Sequence, residues 1–184
     1  MCKATLVVNF FGSPGVGKST ISAQTFSTLK AKRVSCELVN EYAKTCVWEN
    51  SLNTLEDQIY VFGRQQHKQR VLRGKVRVII TDSPLPLCIC YDLEKDKTLQ
   101  KLVLKTYNSY NNINFLLIKN FEGYESVGRK HDSEESDKIH KKIVKLLKKH
   151  KIETIPVKVG TIFDFNDAVI KPILAEVARL RANE

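Results

Sequence analysis

Residues 12–19 read Gly-Ser-Pro-Gly-Val-Gly-Lys-Ser, with Thr20 following. Gly12, Gly17, Lys18 and Ser19 thus stand at the G-x-x-x-x-G-K-[ST] spacing. No other stretch constrains the fold as strongly, because this loop works only between a strand ending beneath it and a helix opening from it. Both flanks comply. "ATLVVNFF" (4–11) reads as an apolar strand, and Ser19 to about Lys32 as a helix. In that setting Gly12, Ser13, Pro14, Gly15, Val16, Gly17, Lys18, Ser19 and Thr20 are the expected nucleotide contacts. The glycines let backbone N–H groups approach phosphates, Lys18 reaches the outer phosphates, and Ser19 is a Mg²⁺ ligand. The loop specifies a ligand and leaves the acceptor open, whether water or a second molecule.

The pattern around the loop repeats. Strands are expected at 34–40, 76–81, 113–119 and 152–159. Helices are expected at 54–73, with Thr54 as N-cap, Asp57 at N3 and Gly74 just past its end, and at 96–110. Asp132 and Glu135 have the spacing of a capping box and open a basic helix. The run "DFNDAVIKPILAEVARL" closes the chain as a helix in which Pro172 marks a kink or a late start. Strands apolar on both faces, alternating with helices, form a parallel sheet covered on both sides, a three-layer α/β architecture. With 184 residues, 42% hydrophobic and 27% charged, residues 1–184 form a single domain. No apolar run reaches membrane-spanning length, and the N-terminal apolar run lacks a cleavage site and reads as a strand. Five cysteines without metal spacing point to reduced thiols and a cytoplasmic setting. Cys88 and Cys90 would face opposite sides of a strand.

The net charge of +10 implies attraction to polyanions. Much of it comes from residues 138–151, where Ile139, Ile143, Leu146 and Leu147 form one stripe and Lys141, Lys145 and Lys148 lie opposite. A solvated helix face and a nucleic-acid contact surface both fit that pattern.

In parallel sheets of this kind ligands bind at the carboxyl ends of the strands, so the residue after each strand becomes a candidate. Asp82 follows strand three, where a Mg²⁺-linked carboxylate belongs. Ser83 and Pro84 come next, with no glutamate to activate water. Glu41 follows strand two at the same crevice, and Glu41 and Asp82 can divide base and metal duties in either order. Tyr42 can flank an acceptor ring. In the helix at 54–73, Leu55, Ile59 and Phe62 share a face that Gln66 continues, with Arg64 and Gln65 adjacent. Residues 120–132 carry Gly123 and Gly128 and read as a lid whose Arg129, or Lys130, closes over the transferring phosphate. Gly160 and Thr161, after strand five, lie where backbone can approach the nucleotide base. The four histidines show no metal spacing.

"GSPGVGKST", "NEYAK", "FGRQQHKQ" and "VIITDSPL", in that order, resemble a small P-loop family related to ribosylnicotinamide-kinase domains and often found in phage genomes. From residue 5 to about 165 the chain is also similar to nucleoside and nucleotide monophosphate kinases. The resemblance implies strand order 2-3-1-4-5, ATP with Mg²⁺ as donor, and an acceptor pocket under the second strand and third helix. It points to Glu41, Arg64, Gln66, Asp82 and Arg129, in the host cytoplasm if the chain is phage-encoded. The departures are Asp82-Ser83-Pro84 in place of Asp-Arg-Ser, and a lid with one arginine. The expected activity is transfer of the γ-phosphoryl of ATP to a nucleoside, nucleotide or related ribosyl compound. A polynucleotide acceptor and a nucleotide-dependent ATPase or switch are the alternatives.

Overall fold

The computed structural model describes residues 4–119, 133–159 and 165–183. At its centre lie five strands: β1 (Leu6–Phe11), β2 (Cys36–Val39), β3 (Val78–Thr81), β4 (Asn111–Lys119) and β5 (Ile155–Val159). All neighbouring pairs are parallel, in the order β2-β3-β1-β4-β5, as the resemblance implied. The helices are α1 (Lys18–Ala31), α2 (Tyr42–Trp48), α3 (Gln58–Arg70), α4 (Leu87–Tyr91), α5 (Lys97–Asn108), α6 (Ser133–Lys149) and α7 (Lys171–Ala182).

The alternation along β1 builds the three layers. Leu6, Val8 and Phe10 pack with Ile21 and Leu29 of α1 and with Ile173, Val177 and Leu180 of α7. Val7 turns the other way, to Val61 and Phe62 of α3 and to Leu99 and Val103 of α5. Phe11 meets Leu87 of α4 and Ile139, Ile143 and Leu147 of α6. The apolar stripe read from α6 is therefore buried, and Lys141, Lys145 and Lys148 are exposed on its outer side.

One polar residue interrupts this inner surface. Asn9 is only 1% exposed, and its amide donates to Oδ1 of Asn112 (2.9 Å) and of Asn114 (3.1 Å). The Tyr107 hydroxyl also donates to Asn114 Oδ1, at 2.7 Å. An unpaired buried amide would cost about 1–3 kcal/mol, so this cluster favours the β1–β4 register in which Asn9 lies opposite Asn114.

Several expected boundaries shift. The helix expected at 54–73 is a 3₁₀ turn at Leu52–Leu55 followed by α3, and Asp57, not Thr54, is the N-cap. The Asp57 carboxylate accepts the Tyr60 N–H at 2.9 Å. Cys88 and Cys90 lie on the short helix α4 rather than on a strand. Pro84 and Pro86 precede that helix, and a fixed proline φ favours its first turn. Pro172 is the second residue of α7, which directly follows a π-helical turn at Asn166–Ile170, where the regular α-helical hydrogen-bond ladder is interrupted. Asp132 of the expected capping box lies outside the described residues. Among the described residues no helix is long and apolar enough to cross a membrane.

Candidate functional site

The sheet register brings the candidates to one edge. Val39, Thr81 and Asn9 stand in a row across β2, β3 and β1, so Glu41, Asp82 and Gly12 leave the sheet at the same end. Gly12 is dictated by packing: a Cβ there would lie 2.6 Å from Val16 Cγ1. Gly17 caps α1 with φ 95°, a left-handed conformation open to glycine. The first turn of α1 holds no acidic residue and no side chain caps it, so its amide end stays available to an anion. Ser19 and Thr20 are exposed there. Lys18 folds back over the loop, donating from Nζ to the carbonyls of Gly12 (2.9 Å) and Ser13 (3.0 Å).

Asp82, 6% exposed, links the loop side to the side of Glu41. Its Oδ1 accepts the Glu41 N–H at 2.9 Å. Burial pushes its carboxyl above the ordinary range, although the Lys18 charge, the N–H groups of Glu41 and of Asp82 itself, and the Lys44 charge pull the other way. The next amide of the α2 N-terminus, that of Tyr42, donates to Gln65 Oε1 at 3.0 Å. Gln65 Nε2 reaches Thr81 Oγ1 at 3.4 Å, and the same hydroxyl accepts the Ser83 N–H at 3.1 Å. Asp82 and Gln65 thus satisfy two helix-end donors that would otherwise be orphaned, and so fix where Glu41 stands.

Gln65 was only a neighbour of the expected stripe, and here the sequence reading needs correction. Gln58, Val61, Phe62, Gln65 and Gln69 are the buried face of α3, whereas Ile59 is 63% exposed. Gln66 reaches the Tyr110 hydroxyl, next to the amino end of β4 and away from Glu41 and Asp82. Leu55, the first member of the expected stripe, lies in the 3₁₀ turn outside α3, and within the helix the inward face is set by Val61 and Phe62 packing with Val7 and Ile79. Replacing Gln65 by leucine is expected to cost about 1–3 kcal/mol, since the Tyr42 N–H loses its buried acceptor. Urea unfolding of the two proteins measures this, and equal stabilities would refute the role.

Around the Glu41 end the walls are aromatic and cationic. Tyr42 is buried, its ring 5.9 Å from that of Tyr60 in an edge-on arrangement. The Arg64 guanidinium lies 5.2 Å from the Tyr42 ring centre, and Lys68 Nζ 5.7 Å. Lys68 also donates to the Asn40 carbonyl at 3.2 Å. On another side α4 comes near: burial, then the charges of Cys90 and Glu41, push the Cys88 thiol up to about 12. Tyr91 is raised as well, by burial first and Glu41 next. Tyr60, Lys68, Cys88 and Tyr91 were not singled out for this crevice in the sequence. Pro84 and Pro86 ahead of an apolar run were the available signal for α4. Arg129, Lys130, Gly160 and Thr161 lie outside the described residues.

Among the described residues no three His, Cys, Asp or Glu side chains cluster as a metal site. Among the described residues, the Ser19 hydroxyl and the Asp82 carboxylate are oxygen donors at this edge. That sparse set suits Mg²⁺, which keeps several waters and takes its remaining ligands from phosphates.

A family model described as "AAA domain" matches residues 7–164. No curated protein matches the sequence. Among solved structures, thymidylate kinase from Ehrlichia chaffeensis is similar at 16% identity and a TM-score of 0.63, over 94% of this chain and 99% of that one. NadR in complex with NR is similar at 16% identity and a TM-score of 0.63, over 94% of this chain and 51% of the other. NadR in complex with NAD and AMP-PNP gives 15% and 0.62, with 94% and 49% covered. This chain therefore spans about half the length of the NadR chains. At these identities the likeness is one of fold, a parallel P-loop sheet shared with nucleotide kinases.

Proposed function

The chain belongs to the AAA domain family, and within it we propose a kinase that moves the γ-phosphoryl group of ATP to a hydroxyl of a nucleoside, a mononucleotide or a related ribosyl compound. One observation carries this reading. Asp82 holds the backbone of Glu41 through Oδ1 while the charge of Lys18 acts on the same carboxylate, so a phosphate-binding loop and a second carboxylate meet at one strand end. Ser83 and Pro84, rather than a glutamate, follow Asp82, which favours a second substrate over water.

In this reading Lys18 leaves the Gly12 and Ser13 carbonyls to meet the outer phosphates of ATP. Ser19 and Asp82 hold Mg²⁺, which supplies charge neutralisation on the phosphates when bound. The place of Asp82 directly after β3, at the strand end beside the loop, favours it for that duty. Glu41, half-buried at the mouth, orients the acceptor hydroxyl and receives its proton. Tyr42, Tyr60 and Arg64 border the acceptor, and Arg129 is assigned the cation that closes on the transferring group. The names of the fold neighbours, a thymidylate kinase and an NadR bound to NR, support acceptors of this class.

The test is a screen of nucleosides, mononucleotides and nicotinamide riboside against γ-labelled ATP and Mg²⁺. At least one acceptor is expected to become labelled well above the rate of phosphate release to water. A panel in which only water is phosphorylated overturns the kinase reading in favour of an ATPase.

A further inference from the structure

The loop carbonyls have a division of labour that involves a residue far along the chain. A phosphate-binding loop turns its N–H groups inward, so its carbonyls need partners outside. Those of Gly12 and Ser13 are taken by Lys18 Nζ, and Ser13 also accepts the Val16 N–H at 3.4 Å. The Pro14 carbonyl accepts instead from Ser136 Oγ at 2.8 Å, across 122 residues of sequence. Ser136 lies in the first turn of α6 and is 8% exposed.

Ser13 to Val16 forms a turn with proline at its second position and Gly15, at φ 85°, at its third. Those are the features of a type II turn. Its central peptide, Pro14–Gly15, can rotate toward the type I arrangement because Gly15 tolerates both signs of φ. Such a flip would reverse the direction of the Gly15 N–H. In a trans peptide the carbonyl and the N–H point opposite ways. A hydroxyl that grips the Pro14 carbonyl from α6 therefore directs the Gly15 N–H away from α6. When Lys18 leaves for the phosphates, Ser136 still holds this peptide.

We propose that Ser136 is a positioning residue of the donor site, locking the Pro14–Gly15 peptide so that the Gly15 N–H is presented to a nucleotide phosphate. The inference rests on the donor half of the proposed function. It concerns the nucleotide and not the acceptor.

The experiment compares Ser136→Thr, which keeps the hydroxyl, with Ser136→Val, which has nearly the same shape as the threonine variant without it. Affinity for ATP with Mg²⁺ is measured by calorimetry, together with KM for donor and acceptor. The valine variant is expected to bind ATP about three- to tenfold more weakly and to raise donor KM alike, with acceptor KM unchanged. The threonine variant should stay within about twofold of the unaltered chain, the scatter left once that hydrogen bond is kept. Should the added methyl groups of the valine variant crowd the loop, Ser136→Ala removes the hydroxyl without added bulk and should weaken ATP to the same extent. Equal ATP affinity in the valine and alanine variants and the unaltered chain overturns the proposal. Equal losses in the threonine and valine variants do so too, since they indicate packing rather than a hydrogen bond. If the unaltered chain binds no ATP, the donor reading itself fails, an outcome visible before any variant is made.

Discussion

Replacing Lys18 by methionine is expected to lower phosphoryl transfer by about 10²–10³-fold, the usual effect of removing a preorganised donor aimed at developing charge. The fold should survive the change. Lys18 is half-buried, and its Nζ donates to the Gly12 and Ser13 carbonyls of the loop. In the proposed donor site it would exchange those carbonyls for phosphate oxygens at little cost. A second consequence follows from its charge on Asp82. Lys18 is the strongest of the influences that pull the Asp82 carboxyl down against burial, so its loss should raise that carboxyl further. The residual activity of the methionine variant should then disappear at a higher pH on the acid side than that of the unaltered protein. A pH profile of labelled transfer, beside thermal melting of both proteins, checks both statements. A variant with near-normal turnover removes Lys18 from the donor site.

Much of this site was legible in the sequence, and the physical reason lies in the parallel sheet. The loop needs its strand and helix, and in a parallel sheet each strand delivers its next residue to the same edge. That rule alone brought Gly12, Glu41 and Asp82 together. What it could not supply was the phase of α3. Thr54 and Asp57 both have capping side chains three residues apart, and the chain uses the later one. The face turned inward is set by Val61 and Phe62 packing against the sheet, which buries Gln65 and leaves Ile59 in solvent. Helices α2 and α4, of seven and five residues, left no readable period because they are shorter than an isolated helix can sustain. The start of α2 is secured by distant partners, Asp82 and Gln65, which no local pattern announces. Asn9 hides for a similar reason. A lone asparagine in an apolar strand reads as a flaw until Asn112 and Asn114 are seen beside it.

Asp82→Asn should separate stability from activity. Turnover is expected to fall by about 10²–10³-fold, because a neutral amide would be a much poorer ligand than the carboxylate for the Mg²⁺ that Asp82 is proposed to hold. The folded protein, in contrast, should become more stable at neutral pH. The asparagine oxygen can still accept the Glu41 N–H that Oδ1 accepts now, so the α2 terminus keeps its partner. What disappears is a carboxylate whose burial outweighs the favourable influences of Lys18, the backbone N–H groups and Lys44. The folded chain holds a proton on Asp82 more tightly than the unfolded chain does. Asp82 therefore lends stability below its ordinary titration range, and that contribution is lost as the pH rises through the raised folded value. The asparagine variant has no such loss. Its advantage should be widest at neutral and alkaline pH, where a gain of ~1 kcal/mol would raise the melting temperature by about 2–4 °C in a chain of this size. The difference should narrow as acid protonates Asp82 in the unaltered protein. Adding ATP and Mg²⁺ should reverse the order, since only the carboxylate form gains from a bound cation, and ligand binding stabilises whichever protein binds it better. Melting curves at several pH values, with and without nucleotide, measure each part. An asparagine variant that melts lower at pH 8 without nucleotide would mean that Asp82 is held by contacts stronger than its burial, and that it serves the fold rather than the donor.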